Sequence, residues 1–136
     1  MKDIKFRIRN INEKKFEDLR FITMVYDNAG IEVFTDDGDI LENYELNQYT
    51  GLKDKNGKEI YEGDIVKFID EYSCETECGI EYDEFENTGY IFYDKDTLAF
   101  DITGRNMDRE DILDFNLEVI GNVYENSELL GDDVNV

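Results

Sequence analysis

The chain has 136 residues, with no histidine, no proline, no tryptophan and only two cysteines. Without histidine, Ser-His and Cys-His nucleophile pairs and His-ligated metals are excluded. Two thiols are too few for a four-cysteine zinc site or a disulfide framework. Without proline, the turns have to be formed by Gly, Asn and Asp. These absences remove many of the common catalytic and metal-binding arrangements.

Positive charge is also scarce, and it is unevenly distributed. The chain has 14 Lys and Arg against 35 Asp and Glu, a net charge of −21 at pH 7. Residues 1–67 carry 15 acidic and 11 basic groups, whereas residues 68–136 carry 20 acidic and 3 basic groups. Such crowding of like charge disfavours the compact state. We interpret it as a surface for a strongly basic partner. The alternative is that the charge only keeps the protein soluble.

Long hydrophobic runs are absent as well. No segment reaches the roughly 20 apolar residues of a transmembrane helix. The first residues alternate charged with apolar side chains and differ from a signal peptide. The sequence therefore predicts a cytoplasmic protein. Because anionic lipid and nucleic acid repel an acidic surface, no membrane and no direct nucleic-acid ligand are expected.

The apolar residues that are present indicate a mainly β protein. Nine Tyr and nine Phe favour strands. Ile4, Phe6 and Ile8 alternate with basic residues, which predicts a half-buried strand whose outer face carries Lys5, Arg7 and Arg9. Further strands are predicted at residues 21–26, 31–34, 65–69 (central), 89–93, 98–102 and 117–123, with tight turns at residues 27–30, 54–58 and 94–97.

Three local features complete this prediction. In the strand at residues 98–102, Leu98, Phe100 and Ile102 are expected on one face. Gly121 indicates a bulge or a close backbone approach. Short helical segments are predicted at residues 13–20 and 106–115, and residues 131–136 form a frayed tail.

Two stretches carry a resemblance to a known family. Residues 48–66, QYTGLKDKNGKEIYEGDIV, strongly resemble the signature of the YopX family, small proteins encoded by bacteriophages and prophages. Residues 118–130, EVIGNVYENSELL, are similar to the closing motif of that family, although Ser127 stands where the family usually has proline. The opening Ile4-Lys5-Phe6-Arg7 is also similar. Together these segments cover about a quarter of the chain.

The resemblance implies architecture more than chemistry. It implies a predominantly β fold, with an N-terminal antiparallel sheet lobe (residues 1–47) and a C-terminal small barrel of the Src-homology-3 kind (residues 48–130). The family brings no catalytic residue set. Within the signature, Gly51, Gly57 and Gly63 are expected to set turns. The rings of Tyr49 and Tyr61 have a structural role, with an aromatic peptide-binding groove as the alternative.

An acidic insert at residues 70–88 is the candidate functional site. Residues 68–88 contain no Lys or Arg. Carboxylates on extended segments can approximate the phosphate array that a basic groove binds, and the aromatic residues give such a surface apolar anchors. The residues assigned to partner binding are Asp70, Glu71, Tyr72, Glu75, Glu77, Glu81, Tyr82, Asp83, Glu84, Phe85 and Glu86. The alternative is a long, solvated, mobile loop without a partner.

Other chemistry receives less support from the sequence. Cys74 and Cys78 are interpreted as ordinary reduced cysteines, and no metal or other cofactor is expected. Residues 36–39 and 94–96 lack the ligand spacing of a calcium loop. A hydrolase that uses two carboxylates is compatible with the composition, but no pair stands out. The sequence therefore predicts a non-enzyme.

The resulting hypothesis is a phage or prophage accessory protein in the cytoplasm of a bacterial host. It would bind a basic host or phage protein and act as an acidic nucleic-acid mimic. The competing hypothesis is a structural protein that self-assembles as a homo-oligomer and whose charge only provides solubility.

Overall fold

The computed structural model describes residues 4–104, 107–112 and 116–131. The protein is mainly β, with 62% strand, 7% helix and, in the described residues, no helix of seven residues or more. This confirms the predicted fold class. The chain divides into two compact units between Tyr49 and Thr50, inside a continuous strand. The excess of negative charge lies mainly in the second unit, which has 24 acidic and 7 basic residues, against 11 acidic and 7 basic residues in the first.

The first unit contains two antiparallel arrangements. Strand β1 (Phe6–Asn10) pairs with β2 (Lys15–Phe16) and with the first half of β5 (Tyr44–Lys53). Strands β3 (Ile22–Asp27) and β4 (Gly30–Thr35) form the predicted hairpin, whose turn ends at Gly30 with a φ of 116°. Ile8 and Val33 are fully buried here, and Tyr49 is also buried.

Two predictions for this unit are wrong. Residues 13–18 are not helical: Lys14 adopts a φ of 53°, the chain reverses, and β2 pairs back onto β1. A 3-10 turn follows only at Leu19–Phe21. The outer face of β1 is not uniformly basic, because Arg9 is buried with its guanidinium 4.9 Å from the Phe16 ring centroid. The aromatic ring covers the cation that the alternating pattern assigned to solvent.

The second unit is a curled antiparallel half-barrel. The second half of β5 neighbours β6 (Glu59–Tyr61) across the predicted Asn-Gly turn, where Gly57 has a φ of 84°. Five further strands form one sheet in the order β10-β9-β8-β7-β11. Their bounds are β7 (Asp64–Thr76), β8 (Gly79–Asp94), β9 (Ala99–Gly104), β10 (Met107–Asp111) and β11 (Glu118–Asn122).

The core of the half-barrel is aliphatic with one aromatic ring. Its members are the buried side chains of Ile60, Val66, Phe68, Ile91, Ile102, Ile112 and Leu117. Residues 65–69 belong to β7, which lies between β8 and β11, so their prediction as a central strand is confirmed. Gly121 also behaves as predicted: the β7–β11 register shifts between Val119 and Gly121, and a Cβ there would lie 2.5 Å from Asn126 Oδ1.

Two further predictions in this unit are corrected. Residues 107–111 of the predicted helix form β10, because pairing with β9 overrides their local apolar spacing. Leu98 does not share a face with Phe100 and Ile102, since it lies in the turn before β9 with a φ of 56° and its side chain is exposed. Residues 106, 113–115 and 132–136, which include most of the predicted tail, lie outside the described residues. Among those that are described, no helix is long and apolar enough to cross a membrane.

Candidate functional site

The acidic insert is a regular β-hairpin and not the long loop of the alternative interpretation; its binding of a partner stays a prediction. Strands β7 and β8 continue past the half-barrel in unbroken register, from Ile69 opposite Glu86 to Thr76 opposite Gly79. The turn between them contains Glu77 and Cys78, and Thr76 Oγ1 donates a hydrogen bond of 3.0 Å to the Gly79 carbonyl. We call residues 70–86 the acidic arm. Its β7 segment, at about 3.3 Å per residue, is about 23 Å long.

Solvent reaches both faces of the acidic arm. All of its side chains are exposed except those of Asp70 and Phe85, which are half-buried. Strand β11 pairs with β7 only at residues 64–67, and β9 pairs with β8 only at residues 90–94. Among the described residues, no strand therefore lies beside the arm on either side.

The register divides the carboxylates between two faces, because directly opposed residues of antiparallel strands point to the same side. The first, which we call the glutamate face, comprises Glu71, Ser73, Glu75, Ile80, Tyr82, Glu84 and Glu86. The second, which we call the aromatic face, comprises Asp70, Tyr72, Cys74, Thr76, Gly79, Glu81, Asp83 and Phe85. The arm thus unites the predicted residues on one hairpin but not on one face, and Glu77 lies in the turn.

Each face also carries apolar side chains. On the aromatic face, the Tyr72 and Phe85 ring centroids are 5.9 Å apart, and the Tyr72 hydroxyl donates a 3.3 Å hydrogen bond to Asp83 Oδ2. On the glutamate face, Ile80 is 59% and Tyr82 is 68% exposed. Large apolar groups surrounded by charge are typical of binding surfaces.

Like charges face each other within the arm. Glu71 lies directly opposite Glu84, and the acceptors of their backbone N–H groups indicate a pair that is not hydrogen-bonded in the ladder. Each donates instead to the preceding aspartate, Glu71 N to Asp70 Oδ1 and Glu84 N to Asp83 Oδ1, both at 2.9 Å. In such a non-hydrogen-bonded pair the Cα atoms are about 4.5 Å apart, and like charges there destabilise the hairpin. Sequence patterns did not reveal this opposition, since it depends on the register.

The base of the acidic arm has cationic partners. Lys67 Nζ lies 3.9 Å from Glu86 Oε2 and 3.7 Å from Glu118 Oε2, while Lys55 Nζ lies 3.1 Å from Glu118 Oε2. Lys55, followed by Lys67, lowers the pKa of the Glu118 carboxyl. A cavity of about 230 Å³ opens beside these groups, lined by Lys55, Lys67, Phe68, Ile69, Glu86 and Asn116. The negative charge is thus balanced at the base and unbalanced toward the turn.

The two cysteines do not form a unit. Cys74 faces Glu81 across the ladder and Cys78 lies in the turn, and both are exposed and reduced. In the described residues, no three Cys, Asp or Glu side chains are arranged to hold a metal ion.

The two stretches of family resemblance meet in the second unit. Asp54, from the longer stretch, accepts hydrogen bonds from the backbone N–H groups of Asn56 and Lys58 in its own turn. Its other oxygen accepts from Val119 N, in the closing stretch. Asp64 Oδ2 accepts from Tyr61 N at 2.8 Å, which fixes the turn before β7. These residues hold the base from which the arm extends.

Fold and site together define a small mainly β protein with an exposed acidic hairpin. A family model described as "YopX protein" matches residues 2–131, so the chain belongs to the YopX family. It is also similar to the crystal structure of protein EF1440 from Enterococcus faecalis, with a TM-score of 0.56 and 29% identity, over 94% of this chain and 98% of that one. No curated protein matches the chain.

Proposed function

We propose that this YopX-family chain is a non-enzymatic accessory protein of a phage or prophage that binds a basic protein through its acidic arm. The observation that carries the proposal is the arm itself. It presents exposed carboxylates on both faces, has no Lys or Arg between residues 68 and 88, and lies beside no other described strand.

Electrostatics favour a partner that otherwise binds nucleic acid. Carboxylates two residues apart on one strand, such as Glu84 and Glu86, are about 7 Å apart. This spacing gives a linear array of negative charge, which a groove built for phosphates attracts. The exposed Tyr72, Ile80 and Tyr82 side chains add apolar contact area, and such contacts supply affinity that salt does not screen.

The experiment is a pull-down from bacterial host lysate at about 0.05 and 0.15 M salt, followed by titration of the purified partner, with duplex DNA as competitor. We expect a basic nucleic-acid-binding protein whose affinity falls as salt rises and which DNA displaces. Replacing Glu75, Glu77, Asp83 and Glu84 with Gln or Asn should abolish capture.

The matched control removes the same charge from the first unit. Asp36, Asp37, Asp39 and Glu42 are exposed there, and replacing them with Asn or Gln should leave capture unchanged. If both quadruple variants bind equally, or if the captured protein is indifferent to DNA, the arm is not a nucleic-acid mimic.

One observation favours the competing function, self-assembly. On the β3–β4 hairpin, Tyr26 lies directly opposite Ile31, and both are exposed, Tyr26 by 82%. Met24 lies on the same face and is also exposed. An apolar cross-strand cluster of this kind can pair with a second copy. Sedimentation velocity at rising salt tests it, since apolar association is not weakened by screening.

A further inference from the structure

Side chains block part of the outer edges of the β7–β8 hairpin, near the base of the acidic arm. The backbone N–H groups of Glu71, Glu84 and Thr88 point away from the β7–β8 ladder, and each is taken by the side chain of the preceding residue, respectively Asp70, Asp83 and Asn87. An unpaired strand edge is a template for another strand, and proteins commonly block such edges. These three side chains occupy donors that an added strand would need.

The edge nearer the turn carries no such block on β8. Because backbone groups alternate in direction along a strand, Ile80 and Tyr82 direct theirs to the same side as Glu84. No described side chain takes the N–H groups of Ile80 and Tyr82. On β7, the equivalent positions are Ser73, which is directly opposite Tyr82, and Glu75, opposite Ile80.

The side chains beside these two edges differ in chemistry. An added strand places its own side chains alternately on the two faces. Beside β8 they would meet Ile80 and Tyr82 on the glutamate face, and Glu81 and Asp83 on the aromatic face. Beside β7 they would meet Ser73 and Glu75 on the glutamate face, and Tyr72 and Cys74 on the aromatic face. Neither of these two rows is uniformly apolar or uniformly acidic. The β8 edge therefore selects a strand that is apolar on one side and basic on the other.

We propose that the outer edge of β8 at residues 79–83 adds one strand of a partner protein, in which Lys or Arg alternate with apolar residues. This inference rests on the proposed function and specifies its binding mode. Main-chain hydrogen bonds supply affinity and the alternating side chains supply specificity, as in other cases of strand addition. Charge complementarity selects the basic side chains opposite Glu81 and Asp83.

The first test uses defined peptides and the unmodified protein. A fluorescent nine-residue peptide alternating Lys with Val is titrated, together with a peptide of the same composition in which the Lys residues are contiguous. A third peptide carries N-methyl groups on alternate backbone nitrogens, which removes the hydrogen-bond donors along one edge. We expect the alternating peptide to bind about tenfold more tightly than either control, the effect of losing one to two net hydrogen bonds.

The second test uses matched variants of the arm. Tyr82→Pro removes an outward N–H, and Ser73→Pro removes the equivalent group on the opposite edge. Neither substitution removes a β7–β8 ladder bond, because both N–H groups point away from the ladder. Proline is tolerated at such positions. Tyr82→Pro should weaken the alternating peptide about tenfold beyond Tyr82→Ala, while Ser73→Pro should have less than about a twofold effect.

Each outcome separates this inference from the function on which it rests. Equal, salt-sensitive binding of all three peptides would overturn strand addition and leave an electrostatic arm. Loss of affinity with Ser73→Pro but not with Tyr82→Pro would overturn the choice of edge. Absence of binding by any basic peptide at low salt would overturn both proposals.

Discussion

The Asp54 carboxylate accepts a hydrogen bond of 2.9 Å from the backbone N–H of Val119, 65 residues further along the chain. The same side chain accepts from Asn56 and Lys58, so one buried group connects the Asn-Gly turn to the last strand of the half-barrel. Lys55 N also donates to the Leu117 carbonyl at 2.9 Å. The two stretches that identify the family are thus one structural unit.

Asp54→Asn should lower the free energy of unfolding by about 2 kcal/mol at pH 7, the usual range for a hydrogen bond to a charged group. The amide of asparagine keeps one acceptor for its own turn but directs N–H groups at Val119 N–H. Urea denaturation measures the change. Asp96→Asn is the control, since Asp96 is an exposed turn residue and the same loss of charge there should change little.

Stability should also depend on pH through Asp54. Burial by itself raises the pKa of this carboxyl, but the N–H groups of Val119, Lys58 and Asn56 and the charge of Lys58 outweigh burial, so the pKa is lowered. The unfolded value is about 3.9. The contribution of Asp54 is therefore complete above that pH and is lost as pH falls through the lower folded-state pKa. The difference between wild type and Asp54→Asn should shrink on acidification, and a constant difference down to acid unfolding would contradict this.

Glu71 and Glu84 are directly opposed, and their repulsion should make the acidic arm less stable than the same hairpin without it. Glu84→Lys should create an opposite-charge cross-strand pair and stabilise the arm by about 0.5–1 kcal/mol. Amide hydrogen exchange at Tyr72 and Asp83 reports this locally, as slower exchange. Glu81→Lys makes the same change of charge opposite Cys74, so its effect should be smaller. Equal protection in the two variants would indicate that only net charge matters.

Parts of the half-barrel could be predicted because several of its strands are half-buried and its turns at Gly57 and Gly63 carry glycine. The Asn56-Gly57 turn, the central strand around Val66 and the irregularity at Gly121 each leave a local signal. The strand at Met107–Asp111 leaves none, because it is set by pairing with β9 and not by its own composition. The alternating pattern places Arg9 in solvent for a similar reason: only the fold brings Phe16 beside it.

The position of the acidic arm could be predicted from the sequence, but its hairpin structure could not. A strand is recognised when one face is buried and apolar residues recur at every second position. Here both faces are exposed, so Tyr72, Ile80 and Phe85 follow no such period. The ladder exists because β7 and β8 are already aligned by their buried ends, Ile65 and Tyr90 being directly opposed. Which carboxylates share a face follows from that alignment alone.

Gly121→Ala should destabilise the second unit. Its Cβ would lie 2.5 Å from Asn126 Oδ1 and 2.8 Å from Asn126 Cβ. Asn126 Oδ1 also accepts the backbone N–H of Asn122 at 3.2 Å, so the side chain can move only by giving up that bond. We expect a loss of about 1–3 kcal/mol, typical of overpacking, measured by thermal unfolding. An unchanged midpoint of thermal unfolding would mean that the turn after β11 shifts to admit the methyl group without loss of stability.

The carboxylates that block the arm near its base should prevent two arms from pairing edge to edge. Asp70 and Asp83 each accept an outward backbone N–H, and replacing both with Ala exposes those donors to another strand. Replacing both with Asn removes the same two charges, but the amide oxygen can still accept the N–H, as Asn87 Oδ1 does for Thr88. The two variants therefore separate charge repulsion from edge blocking.

We expect the alanine variant to self-associate at protein concentrations where the asparagine variant and the wild type stay monomeric. Sedimentation velocity over a concentration series measures this, and exchange of the Glu71 and Glu84 amides should slow in the associated form, because their N–H groups then pair with a second chain. If the asparagine variant associates as strongly as the alanine variant, repulsion alone keeps the arms apart. In that case an arm without these charges could pair with a second arm along the free edge of β8 at Ile80 and Tyr82. Charge alone would then determine which strand this edge accepts.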